Sequence, residues 1–280
     1  MMSKKLKVIM DGITYNCRYT EQLNARVLFI GSNGYEKNFK FIYYLLDLFR
    51  THMKRIEVNL NEIKNIPRFL NEPFTHRIEE LVLINRGVST AKIHEFFENL
   101  KLNQPLSYAA LNLPTKRRIE LNEILLNSNE LNLRNIMGIT GENLSNFNGS
   151  HLFLGICSPG LGTKDIIAWI RKWLDGNDTK LCVAVIQSEE GLEFDQQKII
   201  SEFDTKQWDP TKRARSYIIK GRIFYQKLPD GTRRDYAIKA IGHDIERRDG
   251  LLATIWYPDC RKWFGFFVWH NRWPGPPQYR

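Results

Sequence analysis

The chain has 280 residues, 42% hydrophobic and 26% charged, with a formal net charge of +10, proportions typical of a folded globular protein. No apolar run approaches the roughly 20 residues of a membrane-spanning helix. Leu6–Met10 is too brief for the apolar part of a secretory signal, so a cytoplasmic or nuclear protein is expected, with no membrane partner.

In chain order, Lys5–Asp11 alternates like a strand, Asp11-Gly12 is a hairpin-type turn and Ile13–Tyr19 can return,. Ala25–Ile30 is a third apolar run. Phe41, Ile42, Leu45, Leu48 and Phe49 share one helical face, so the spacing predicts an amphipathic helix over Asn38–Met53,. Short apolar strands then centre near Val58, Val82, Ala109, Ile136, Phe153 and Val183, at intervals of 24, 27, 27, 17 and 30 residues. Helical stretches separate them. Ser89 or Thr90 can cap a helix whose Ile93, Phe96, Phe97 and Leu100 face inward, and Thr163 can cap another, with Ile166, Ile167, Ile170 and Leu174 inward and Gly176 as its stop,.

A strand-helix unit repeated at this interval predicts a leucine-rich-repeat-like β/α arc, with mostly parallel strands from Ile56 to Ile186 and helices on one side. Ile78-Glu-Glu-Leu81-Val-Leu83-Ile-Asn85 comes closest to the Leu-x-x-Leu-x-Leu-x-x-Asn signature. After Ile200 the runs Tyr217–Lys227, Tyr236–Ile245, Leu251–Tyr257 and Trp263–Trp269 alternate with turn residues, among them Asp249-Gly250, expected as a type I′ turn with Ile255 and Trp269 buried,. The expected class is therefore α/β. An N-terminal segment of strands and a helix spans 1–55, the arc 56–200, a C-terminal antiparallel β meander 201–270 and a loose Pro-rich tail 271–280.

Chemistry-bearing residues form no constellation. Cys17, Cys157, Cys182 and Cys260 stand far apart with no Cys-x-x-Cys pair, which argues against a zinc site or a disulfide framework. Cys157 and Cys182 sit in apolar runs and are expected as small core residues. His52, His76, His94, His151, His243 and His270 show no His-Glu-x-x-His and no close pairing. Gly155–Gly160 has the glycine gap of a phosphate-binding loop, but Leu161-Gly162-Thr163-Lys164 follows where Lys-Ser/Thr is required, so a turn into a helix is expected,. His243-Asp244 and Asp259 lie beside hairpin ends, where Asp is a common turn former. Glu79-Glu80 and Glu189-Glu190 place their carboxylates on opposite sides of a strand. The sequence thus assigns no catalytic, cofactor-binding or metal-ligating residue, and attaches partner binding to no particular residue.

The charge is uneven. Residues 205–280 hold sixteen Lys/Arg against seven Asp/Glu, or +9, and five of the seven tryptophans, whereas the rest holds 25 against 24, or +1. Basic plus aromatic is the footprint of a nucleic-acid binder; the other reading is a β-rich domain with aromatics in its core and Arg/Lys on its solvent faces.

Two stretches carry a family resemblance. The first runs Ile136–Leu144, Asn146–Asn148, His151–Cys157, Leu161–Asp165 and Trp169–Leu181. The second is Asp244-Ile-Glu-Arg-Arg-Asp249-Gly250-Leu-Leu-Ala253-Thr254-Ile255, followed by Phe266-Phe-Val-Trp269. Together they resemble nematode F-box proteins with the type-2 F-box-associated domain, the second matching the family's "Asp-Ile-x-Arg-x-Asp-Gly … Ala-Thr-Ile … Val-Trp" block. The resemblance covers about Asn135–His270. It implies the substrate-recognition region of a ubiquitin-ligase adaptor, non-catalytic and without cofactor. In the family this region follows an F-box, which docks on an Skp-type adaptor of a cullin ligase. No F-box is recognisable here: strand-like residues begin at Lys5, and Leu113-Pro114 lies mid-arc. The expectation is a protein-binding module with an unknown target protein, engaging adaptor and cullin only if an F-box is supplied.

Overall fold

A computed structural model describes residues 4–10, 13–19, 28–29, 35–48, 50–84, 88–113, 119–157, 160–176, 178–188, 193–223, 225–227, 233–258 and 262–275. β1 (Lys4–Met10) and β2 (Ile13–Tyr19) pair antiparallel with Met10 opposite Ile13, as the hairpin spacing predicts, while Asp11 and Gly12 lie outside the described residues. β3 (Leu28–Phe29) pairs with β2. α1 (Tyr35–Leu48) ends earlier than the expected Asn38–Met53. Arg50 takes a φ of 46°, and Thr51 and Arg50 donate their N–H groups to Leu46 and Asp47, the pair of bonds that stops a helix in a left-handed residue. Phe41 and Ile42 are buried as expected, but Leu48, at the helix end, is exposed.

The repeat follows. β4 (Arg55–Val58), α2 (Ile66–Leu70), β5 (Glu80–Ile84), α3 (Thr90–Asn99), β6 (Tyr108–Asn112), α4 (Glu123–Leu126), β7 (Glu130–Arg134), α5 (Gly141–Asn146), β8 (His151–Cys157), α6 (Thr163–Asp175) and β9 (Val183–Ser188) alternate, and all six strands run parallel in sequence order. The strand expected near Ile136 lies instead at Glu130–Arg134. Leu131 and Leu133 take the core positions, and Asn135, at a φ of 57°, ends the strand before Ile136. With that correction the paired positions Arg55, Glu80, Tyr108, Glu130, His151 and Val183 fall 25, 28, 22, 21 and 32 residues apart.

Side chains at alternate strand positions face the helices: Leu81 and Leu83, Ala109 and Leu111, Leu131 and Leu133, Leu152 and Leu154, Ala184 and Ile186, all buried in one core with Ile93, Phe96, Ile166 and Ile170. Asn65, Ser89, Asn122 and Thr140 each accept a backbone N–H from the first turn of the helix they precede, which satisfies groups that the helix itself leaves orphaned. At α6 the cap sits one residue before the expected Thr163. Gly162 donates its N–H to the Asp165 carboxylate at 2.9 Å, and the Thr163 hydroxyl instead accepts the N–H of Asp195, the cap of α7 (Gln196–Ser201), at 3.0 Å.

The C-terminal strands are antiparallel, but they continue the arc's own sheet across residue 200. β10 (Lys206–Gln207), β11 (Ser216–Ile219), β12 (Tyr225–Lys227), β13 (Arg233–Lys239), β14 (His243–Glu246), β15 (Leu252–Trp256) and β16 (Trp263–Val268) divide between two sheets. β16 pairs antiparallel with β9, giving a mixed ten-stranded sheet in the order β10-β14-β15-β16-β9-β8-β7-β6-β5-β4. This pairing satisfies the edge of β9 and sets Phe266 against Trp169 and Trp173, both at 5.1 Å between ring centroids. The expected runs Tyr217–Lys227 and Tyr236–Ile245 each break in two. β11 and β12 flank β13 in a separate three-stranded sheet, and β14 joins the large one.

That small sheet packs on the helix-free face of the large one. Tyr217, Ile219, Ile223 and Ile238 meet Val82, Tyr108, Phe153, Val183 and Val185 in a second core, each large apolar side chain contributing about 1.5–3 kcal/mol of burial. The tail expected from residue 271 is anchored at its start, where Arg272 donates to Glu246 and to the Gly250 carbonyl at 2.9 and 2.7 Å.

Candidate functional site

The structure disperses the residues that could carry chemistry. Among the described residues no three His, Cys, Asp or Glu side chains converge as metal ligands. His52 sits 3.5 Å from Glu79, His76 and His270 bond backbone carbonyls of Leu70 and Leu181, and His243 is half-buried in β14. Cys182, expected in the core, is only half-buried, because it lies one residue before β9 at the end of the sheet. Its thiol donates to the Lys180 carbonyl and is pushed up by burial and by Asp178. The Cys157 side chain, Glu189, Glu190 and Asp259 lie outside the described residues. An open pocket of about 350 Å³ beside β10 is lined by Leu174, Phe203, Lys206, Lys212 and Asp244. Its buried carboxylate, Asp244, is fully engaged elsewhere.

Asp244 is not the turn former the sequence suggested. It stands in β14 and takes three bonds from Nε and one terminal nitrogen of Arg213, at 2.8–3.0 Å, and one from the Thr254 hydroxyl. Arg213 is 0% exposed, donates also to the carbonyls of Ala214 and Ala240, and lies 4.6 Å from the centre of the Trp269 ring, whose N–H bonds Thr254. Arg247 is buried likewise. It spans Asp249 and the carbonyl of Asp178, and stacks on Trp173 at 4.9 Å. The Arg247 guanidinium, with the Leu251 N–H, holds the Asp249 carboxyl at about 2. Gly250 alone in this turn has positive φ, +84°, and its N–H bonds the Arg247 carbonyl. The turn is therefore a type I turn followed by a glycine bulge, not type I′. Asp244, Arg247, Thr254 and Trp269 are thus spent on tying the C-terminal strands to one another and to the arc.

The helix-free face is legible as rows across the strands. The first row, Arg55, Glu80, Tyr108, Glu130 and His151, lies under the connection Lys220–Arg222. Arg222 ion-pairs with Glu80 and donates its backbone N–H to Glu130 at 2.7 Å, and Arg55 reaches Glu80 and Glu57. Burial pushes the His151 imidazole down to about 4, against a smaller opposing bond to the Lys220 backbone. The second row, Val82, Ala110, Asn132, Phe153 and Val185, is covered by Ile223, Ile238 and their neighbours. Much of the face that an arc offers to a partner is therefore filled by the chain's own hairpin.

The third row stays open. Ile84, Asn112, Arg134 and Gly155 stand in register at the C-terminal ends of four adjacent strands. Ile84 is 44% exposed, and Ile156, next to Gly155, is 46% exposed at a φ of 51°, a conformation that strains a β-branched residue. Gly155 is required by a close approach: a Cβ there would come within 2.7 Å of the Phe153 ring. That ring lies between Trp263, at 6.2 Å, and the Arg134 guanidinium, at 5.1 Å. Arg134 Nε donates to Asn132 at 3.3 Å, and Asn135 donates to Asn112 at 3.0 Å. The sequence pointed to Gly155 only through a phosphate-loop spacing and to Phe153 only as a strand centre, and it singled out neither Asn112 nor Arg134. The signal was there in the alternation Glu130-Leu131-Asn132-Leu133-Arg134, which assigns Arg134 to the face opposite the core once the strand is placed correctly.

Part of the basic, aromatic C-terminal region is absorbed by the fold. Arg213, Arg222, Arg247 and Arg272 are in ion pairs, Trp269 is buried, and Trp256 and Trp263 pack against the second core. Fold and surface together define an α/β protein with a mixed ten-stranded sheet, helices on one face and a hairpin sheet partly covering the other. Comparison with protein-family models, curated proteins and solved structures returns no match.

Proposed function

We propose that this chain is a non-catalytic protein-interaction module, of the kind its resemblance to F-box-associated regions implies. The observation that carries the reading is the open row Ile84, Asn112, Arg134, Gly155 on a rigid parallel sheet, with exposed apolar ends and a stacked arginine at its centre. Repeat sheets bind through such extended faces, so affinity comes from a few anchors and not from a reacting group. In support, Asp244, Arg247, Thr254 and Trp269 of the family-like block all have structural partners, and the C-terminal arginines named above are in ion pairs within the fold. No described helix is long and apolar enough to cross a membrane.

A photo-reactive amino acid at Asn112 tests the reading. It should cross-link a protein partner that the same group at exposed Lys101, in the connection between α3 and β6, does not capture. Cross-linking to nucleic acid alone would favour the basic-tail alternative. The chain from residue 4 onward should bind no Skp-type adaptor at micromolar concentration; fusing a family F-box to its N-terminus should create that binding and leave the Asn112 cross-link unchanged.

A further inference from the structure

We propose that the open row binds an acidic peptide segment in extended conformation, with the carboxylate of one Asp or Glu side chain held by Arg134. This inference rests on the interaction reading above and names the chemistry of its partner.

Three observations converge on it. Arg134 is exposed and is the one charged side chain of the row. Its guanidinium lies over the Phe153 face and is tethered by the Nε bond to Asn132, and among the described residues no carboxylate pairs with it. A planar fork fixed at one edge presents its remaining N–H groups to a carboxylate in bidentate geometry. Acids of this face are engaged elsewhere: Glu130, on the same strand, accepts the Arg222 N–H, Glu80 pairs with Arg55 and Arg222, and Glu57 pairs with Arg55.

The second observation is a polar pair beside the arginine. Asn112 and Asn135 bond each other through one amide group apiece, which leaves an amide N–H2 on Asn112 and an amide oxygen on Asn135 for a peptide backbone. The third is length. Four strands at about 4.8 Å spacing place Ile84 and Gly155 about 14 Å apart, the span of roughly four extended residues. At its two ends the exposed Ile84 and the strained Ile156 offer apolar contacts. A helix, about 10 Å across with side chains, would meet the hairpin sheet that covers the adjoining row.

Arrays of randomised peptides of about ten residues, with Glu, Ala or Lys fixed at the centre, provide the probe. They are read with the wild-type chain, Arg134→Lys and Arg134→Glu, alongside a labelled single-stranded oligonucleotide. Wild type should retain Glu-centred peptides about tenfold better than Lys-centred ones, R134K should lose most of that preference, and R134E should invert it. An unchanged thermal midpoint in R134E, whose side chain is exposed, keeps a folding defect out of the comparison. Equal retention of all peptides, or no effect of R134E, overturns the acidic-peptide assignment; a persisting protein cross-link from Asn112 would then leave the interaction reading standing. Oligonucleotide binding abolished by R134E, with no peptide retained, overturns both.

Discussion

Lowering the pH from about 7 to about 5 should weaken this fold through His151. The imidazole is buried between the sheet and the connection Lys220–Arg222, with Ser150 Oγ 2.7 Å from Nδ1, and burial holds it at about 4 against an ordinary 6.5. Between those values the unfolded chain takes up a proton that the folded chain refuses. Stability is therefore complete above about pH 6.5 and is lost as the pH falls toward about 4. The gap corresponds to about 3 kcal/mol over the whole window, of which about 2 kcal/mol disappears between about pH 7 and pH 5. Urea unfolding of the wild type and of His151→Gln at both pH values reads this directly. Glutamine keeps a polar side chain but does not titrate, so carboxylate contributions common to both proteins cancel. The wild type should lose about 2 kcal/mol more than the variant on acidification. Parallel losses in the two proteins, or an imidazole resonance that titrates near 6.5, would refute the burial argument.

Asp244→Ala should cost about 3–5 kcal/mol, because it leaves the buried Arg213 without its carboxylate,; a loss under about 1 kcal/mol would show the pair to be dispensable. Gly250→Val should cost about 1–3 kcal/mol in thermal unfolding. Nothing lies within 4 Å of an added Cβ, so the cost is all backbone conformation, and Gly250→Asn should recover most of it. Ile156→Gly should stabilise the protein by about 1 kcal/mol by releasing the positive-φ strain,, while weakening the partner cross-link; if stability falls instead, the strain is not there.

The parallel arc was legible in the sequence because each strand hides alternate residues under a helix, and that pattern is local. Ile93, Phe96 and Phe97 declared α3, and of the two caps the sequence offered, Ser89 and Thr90, the structure uses Ser89. The misplacement of β7 at Ile136 has an equally local cause. Ile136 is apolar and fully buried, but it follows the strand, and the left-handed Asn135 that separates them is a weak stop signal, since asparagine tolerates that conformation without being confined to it,.

What the sequence by itself determined is the set of elements and their faces, since periodicity and capping act over a few residues. Only the tertiary structure decided that β16 pairs with β9 and so merges the C-terminal strands with the arc. The same holds for the splitting of 217–227 and 236–245 between two sheets and for the burial of Arg213 and Arg247, which a count of charges had placed on a basic surface. These outcomes depend on contacts between residues some 30 to 80 positions apart, as in Arg213 with Asp244 or Val183 with Phe267. The open row is of the same kind. Arg134 became a candidate site only because the hairpin covers its neighbours and leaves it exposed, and no local pattern encodes where a distant hairpin will lie.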